Sequence, residues 1–89
     1  MAEPSPDLKD EIKQAIVRSL RLPIEPASIA NDVSLFGDGL GLDSIDVLEL
    51  VLEIERAFGL SITDEQTGAR VLRSVDSIAE HITAARNST

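Results

Sequence analysis

The sequence predicts an all-α fold, a four-helix bundle with three longer helices, one short third helix and a long loop between helices one and two. Three observations carry that expectation. Apolar residues recur at three- and four-residue spacing in separate windows. Helix start and stop residues bracket those windows. No strand-like alternation and no internal repeat interrupts them.

Helix one is expected over about Pro6 to Leu20. Ser5 followed by Pro6 reads as an N-cap with proline at the first helical position, where its missing N–H costs nothing. Leu8, Ile12, Ala15, Ile16 and Leu20 share its inner face. Pro23 and Pro26 are expected to end it and to stiffen the start of the next connection. That connection, from Arg21 to Asp43, is too long to lack anchors in a compact domain. Ile24, Ile29, Val33, Leu35 and Phe36 are expected to pin it, with a short turn near Ala27 to Ala30. Gly37, Gly39 and Gly41 allow tight backbone paths just before the next helix.

Helix two is expected from Ser44 to Phe58, with Asp43 as N-cap and Gly59 as its stop. Thr63-Asp64-Glu65-Gln66 reads as a capping box opening the short third helix, which Gly68 weakens. Ser74 then caps a last helix over about Val75 to Ala85, with Val75, Ile78, Ala79 and Ile82 inward. One domain is expected over residues 1–89, with residues 1–4 and 86–89 as loose ends.

Composition narrows the function. The chain is 43% hydrophobic but only 2% aromatic, so the core is aliphatic. A domain this small has little room for an enclosed catalytic cleft, so a non-enzyme is expected. No cysteine is present, which removes disulfides and thiolate chemistry. No apolar run is long enough to span a bilayer, and the N-terminus lacks signal-peptide character, so the expected setting is cytoplasmic. The net charge is −8. Nine of the 16 acids but one of the eight bases lie between Asn31 and Glu65, leaving seven of each elsewhere, so that segment holds the whole excess. Such a surface repels nucleic acid and draws basic protein partners.

Several chemistries can be set aside. The three glycines before Ser44 lack the Gly-Lys-Ser/Thr ending of a nucleotide loop. Asp32 to Asp43 has the length of a calcium loop, but Phe36 falls on a ligand position and Asp43 replaces the closing glutamate. His81 is the only histidine and has no cysteine or second histidine near it in sequence, so a surface or partly packed role is expected rather than a metal ligand or base.

Ser44 is the remaining candidate. With Asp43 capping, Ser44 occupies the first helical position with its hydroxyl outward. A helix start offers free N–H groups and partial positive charge, which suit a phosphate. On helix two, Val47, Leu50, Val51, Ile54 and Phe58 fall on one side. Ile45, Leu48 and Leu52 form a second apolar stripe, and Asp46, Glu49 and Glu53 an acidic one. The second stripe either widens the core face or forms a docking strip flanked by acids.

The run Gly41-Leu42-Asp43-Ser44-Ile45, preceded by Leu35-Phe36 and leading into an acidic helix ending Phe58-Gly59, resembles the acyl carrier protein family. The resemblance covers roughly Leu8 to Ile82. It implies that Ser44 carries 4′-phosphopantetheine, with Asp43 as helix cap and transferase recognition residue. The arm would hold acyl groups as thioesters for fatty-acid, polyketide or specialised lipid enzymes. It also implies docking through Ile45, Asp46, Leu48, Glu49, Leu52 and Glu53. The implied partners are a phosphopantetheinyl transferase and acyl-transfer, condensing and reducing enzymes with basic patches, met by a monomeric carrier. Peptidyl carriers usually show Gly-Gly-x-Ser, so this motif leans toward acyl cargo. Thr63 stands where a proline often precedes the third helix, residues 67–73 form a stretch slightly longer and more basic than in typical fatty-acid carriers, and Arg56 interrupts the acidic side of helix two. These departures favour a dedicated carrier for a specialised pathway as rival to the generic fatty-acid role. An unmodified acidic helical adaptor for a basic partner is the alternative from another class.

Overall fold

A computed structural model describes residues 6–36, 39–59, 61–62 and 65–87. Four α-helices succeed one another: α1 (Pro6–Leu20), α2 (Ser44–Phe58), α3 (Glu65–Val71) and α4 (Val75–Asn87). A short 3-10 turn, Pro26–Ser28, sits in the first loop. The bounds of α1 and α2 are those the spacing predicts. Helix α4 runs two residues past the expected Ala85, so residues 86–87 are helical rather than a loose end. Thr63 and Asp64, which would open the predicted capping box of the third helix, lie outside the described residues.

The core is aliphatic, as the composition requires. Helix α1 supplies Leu8, Ile12, Ala15 and Ile16. Helix α2 supplies Leu50 and Ile54, and α4 supplies Val75, Ile78, Ala79 and Ile82. Val47, Val51 and Phe58 pack against this core half-buried. Helix α1 packs on both α2 and α4, while α3 lies against α4.

One helix end departs from the expected chemistry, and another keeps it with an added bond. Helix α1 stops before either proline. Arg21 adopts a left-handed conformation (φ 52°), and the Leu22 N–H returns to the Val17 carbonyl. This closes the last turn in the manner of a glycine cap, but with an arginine in the glycine place. At the start of α4, Ser74 caps as expected. The cap is reciprocal, because the Ser77 N–H donates to Ser74 Oγ and the Ser74 N–H to Ser77 Oγ.

The long first loop is anchored from both sides. Ile29 and Leu35 are buried and Val33 and Phe36 half-buried, but Ile24 is exposed and does not pin it. Ile24 comes after Pro23 on the outward side of the turn, and Leu22 packs against the core in its place. Backbone bonds do the rest. Leu35 N–H donates to the Arg73 carbonyl, and Asp76 N–H to that of Asn31, tying the loop to both ends of the α3–α4 junction. Leu42 N–H donates to the Leu35 carbonyl, and Phe36 and Leu42 form an isolated parallel bridge. The chain therefore doubles back on itself immediately before α2. A Cβ on Gly39 would collide with the Ser34 carbonyl oxygen, and Gly41 holds φ 73°. Both positions need glycine, one for close approach and one for its dihedral. Gly37 lies outside the described residues.

Candidate functional site

The backbone fold delivers Ser44 to the surface. The doubled loop ends in Leu42, whose buried side chain fixes where α2 begins. Asp43 comes next, in extended conformation, as the N-cap. Its carboxylate accepts from the Asp46 N–H at 2.9 Å, while its own N–H donates to Asp46 Oδ2 at 3.2 Å. This is a complete capping box, with aspartate in place of the usual glutamate at its third position. Ser44 is the first helical residue, and its side chain is exposed. The N–H groups of Ser44 and Ile45 precede the intrahelical ladder and remain available to an anion.

Beside Ser44 opens an apolar cavity of about 680 Å³. Val47, Leu48 and Val51 of α2 form one wall. Phe36 and Leu42 close the loop side, and Ile62, Gly68 and Ala69 the side toward α3. Gly68 keeps this space open, because a Cβ there would lie 3.5 Å from Ile62 Cγ2 and 3.9 Å from Val51 Cγ2. Those are ordinary contact distances, so an added methyl would narrow the groove without a clash. Helical spacing identified the α2 wall as apolar. It held no signal that Phe36, Ile62 and Gly68 would face it, because they come from separate loops and helices.

The second apolar stripe does stand apart from the core. Ile45, Leu48 and Leu52 are 68%, 61% and 59% exposed. Asp43 and Glu49 are exposed beside them, and Asp46 is half-buried by its cap. Glu53 corrects the sequence reading. Placed there in the acidic docking stripe, it is in fact buried, 8% exposed, and serves the interior. Four residues advance a helix by about 40° beyond a full turn, which swings Glu53 from the Glu49 direction toward α1. There Arg18 donates to Glu53 Oε2 at 2.8 Å, and Arg56 donates to Oε1 from the next turn. The two guanidiniums hold the Glu53 carboxyl below its ordinary value, with the Arg18 hydrogen bond the larger cause and burial opposing it. Glu55 is engaged too, accepting the Ile62 N–H at 2.8 Å and so fastening the chain after α2.

The last turn of α2 is terminated by Gly59 in the left-handed region (φ 67°), and the Arg86 guanidinium lies 6.0 Å over the Phe58 ring. His81 is half-buried on α4. Among the described residues no cluster of three or more His, Cys, Asp or Glu has the arrangement to hold a metal ion. No helix among them is long and apolar enough to cross a membrane.

Comparison with known proteins identifies the family. The family described as "Phosphopantetheine attachment site" matches residues 10–82. The acyl carrier protein of Rubrobacter xylanophilus is 36% identical over 80 residues, spanning 85% of this chain and 98% of that protein. The acyl carrier protein of Amoebophilus asiaticus is 35% identical over 74 residues, spanning 81% and 89% respectively. The chain belongs to the phosphopantetheine-attachment family and falls among its acyl carriers, which are carrier proteins rather than enzymes. The prosthetic group of this family is a covalently attached phosphopantetheine. The residues at the head of α2 fit such a group: an exposed hydroxyl, unladdered N–H groups for a phosphodiester, and an apolar groove within reach.

Proposed function

We propose that Ser44 is the residue that carries 4′-phosphopantetheine, and that the chain presents acyl groups on it to biosynthetic enzymes. The observation that carries this reading is the exposed serine at the capped head of α2, opening directly onto the apolar groove. A phosphopantetheinyl transferase would take the Ser44 hydroxyl proton and direct Oγ to the coenzyme A phosphorus nearest the pantetheine. The new bond is Ser44 Oγ–P, the bond broken is the pyrophosphate P–O, and adenosine 3′,5′-bisphosphate leaves. The arm ends in a thiol, which holds acyl groups as reactive thioesters. The chain's own residues do three things. Asp43 fixes the helix start and offers its carboxylate to the transferase. The N–H groups of Ser44 and Ile45 meet the phosphodiester. Val47, Val51, Phe36 and Ile62 offer an acyl chain a dry surface away from water.

Docking would use Ile45, Leu48 and Leu52 as an apolar strip, with Asp43, Asp46 and Glu49 meeting basic groups of the partner. A small charge-assisted patch suits a carrier that must bind and leave repeatedly. The proposed partners are acyl-transfer, condensing and reducing enzymes, met by a monomeric cytoplasmic carrier. Acyl cargo is favoured by Gly41-Leu42-Asp43-Ser44. The departures at Thr63, Arg56 and residues 67–73 weigh against the generic fatty-acid synthase role and make a dedicated carrier for a specialised lipid or polyketide pathway its rival. The test is an intact-mass measurement after incubation with coenzyme A, magnesium and a broad-specificity transferase. A gain of one phosphopantetheine on the wild type supports the reading. No gain under conditions that load a known carrier would leave an unmodified acidic adaptor as the better account.

A further inference from the structure

Resting on that docking reading, we infer that the docking face carries two signs, and that its partner presents a carboxylate as well as basic groups. Glu49, Glu53 and Glu55 are the acids of α2 beyond its first turn. The structure divides them. Glu49 is free at the surface, whereas Glu53 is buried under Arg18 and Arg56 and Glu55 is turned to the Ile62 N–H. The carboxylates of the far half of α2 are engaged inward, and the guanidiniums point out: Arg56 is 79% and Arg18 65% exposed.

Arg56 also stands in the line of the strip. Arg56 lies eleven residues beyond Ile45, about 20° past three full turns, and Leu52 lies seven beyond it, about 20° short of two, so Arg56 and Leu52 flank the Ile45 direction closely. Eleven residues place Arg56 about 16 Å along the axis from Ile45. A partner laid on Ile45, Leu48 and Leu52 would therefore meet Asp43, Asp46 and Glu49 at the Ser44 end and a fixed cation at the other. Glu53 holds that cation from below, so it does not need to be ordered on binding. The matching partner surface is an apolar ridge with lysine or arginine at one end and aspartate or glutamate at the other. A uniformly basic ridge would face repulsion at Arg56.

The experiment uses three synthetic amphipathic helical peptides with one shared apolar face. Their flanking charges are all lysine, all glutamate, or lysine at one end and glutamate at the other. Each is titrated at low salt into the full ¹⁵N-labelled chain, and dissociation constants are read from amide shifts. The mixed peptide should bind the wild type about two- to fivefold more tightly than the all-lysine peptide, the range of one exposed ion pair. Arg56→Gln, which removes the cation without placing a new acid beside Glu53, should abolish that preference. Thermal melting checks that this variant is folded, and Arg56→Lys, which restores the charge, should restore the preference. Tighter binding of the all-lysine peptide to the wild type, a mixed-peptide preference that survives Arg56→Gln, or no binding of any peptide would each overturn the inference. Loading of Ser44 by coenzyme A and the transferase is measured separately on the wild type. It reads the carrier role and not the sign of the docking face, so failure of one is distinguishable from failure of the other.

Discussion

Arg18 of α1 and Glu53 of α2 meet at 2.8 Å although 35 residues separate them in sequence. The contact ties α2 to α1 at the end of α2 remote from Ser44. Arg56 completes the arrangement from the next turn, so one buried carboxylate organises two surface cations. Its role is structural where the sequence alone suggests a role in docking.

Glu53→Gln should therefore lower stability, where Glu49→Gln should not. Charge-assisted bonds to exposed guanidiniums are worth about 1–2 kcal/mol once solvent screening is allowed for. The pH dependence has a definite sign. The folded carboxyl titrates below its ordinary value of 4.5. Its contribution is thus complete above that value and is lost as pH falls through the lower folded value. Denaturant melts between pH 7 and pH 3 should show a steeper acid loss in wild type than in Glu53→Gln. Parallel curves would contradict the assignment.

The two faces of α2 should separate in their energetics. Leu50 is fully buried, and Leu50→Ala should cost about 2–5 kcal/mol. Leu48→Ala and Leu52→Ala remove side chains that already face water, and each should cost less than about 0.5 kcal/mol. Phe58 is only half-buried beneath Arg86, so its truncation should fall between these limits. Equal losses in Tm at Leu48, Leu50 and Leu52 would mean that α2 has one wide core face.

Arg21→Gly should raise stability. A non-glycine residue in the left-handed region is strained by about 1–2 kcal/mol, and glycine relieves this at the expense of a more flexible unfolded chain. A net gain of about 0.5–1 kcal/mol is expected. Arg21→Ala, which keeps the strain, should show no such gain. A loss on Arg21→Gly would show that the arginine side chain itself contributes at that position.

Much of the fold is legible in the sequence because it is local. Pro6, Asp43 and Gly59 act within one helical turn of their own positions, and they set the start of α1 and both ends of α2. Asp43 places Ser44 at the head of α2 in the same way. The misread positions are those whose surroundings come from elsewhere in the chain. Helical spacing can say that Glu53 leaves the core face, but not that Arg18 waits on the other side. Ile24 reads as an anchor by composition alone, yet the turn after Pro23 directs it outward. The groove beside Ser44 needs Phe36, Ile62 and Gly68 to arrive from three segments, and nothing in their spacing announces the meeting. Arg21 carries no sign of its left-handed backbone, because the usual marker would be glycine.

The most direct test of the central claim is the intact mass of wild type and Ser44→Ala after incubation with coenzyme A, magnesium and a broad-specificity phosphopantetheinyl transferase. Ser44 is exposed at the first turn, and alanine is well tolerated in a helix, so the variant should keep its fold by circular dichroism. The wild type should gain one phosphopantetheine and the variant none. A folded Ser44→Ala protein that still gained the mass, or a wild type that gained none beside a carrier that did, would contradict the account.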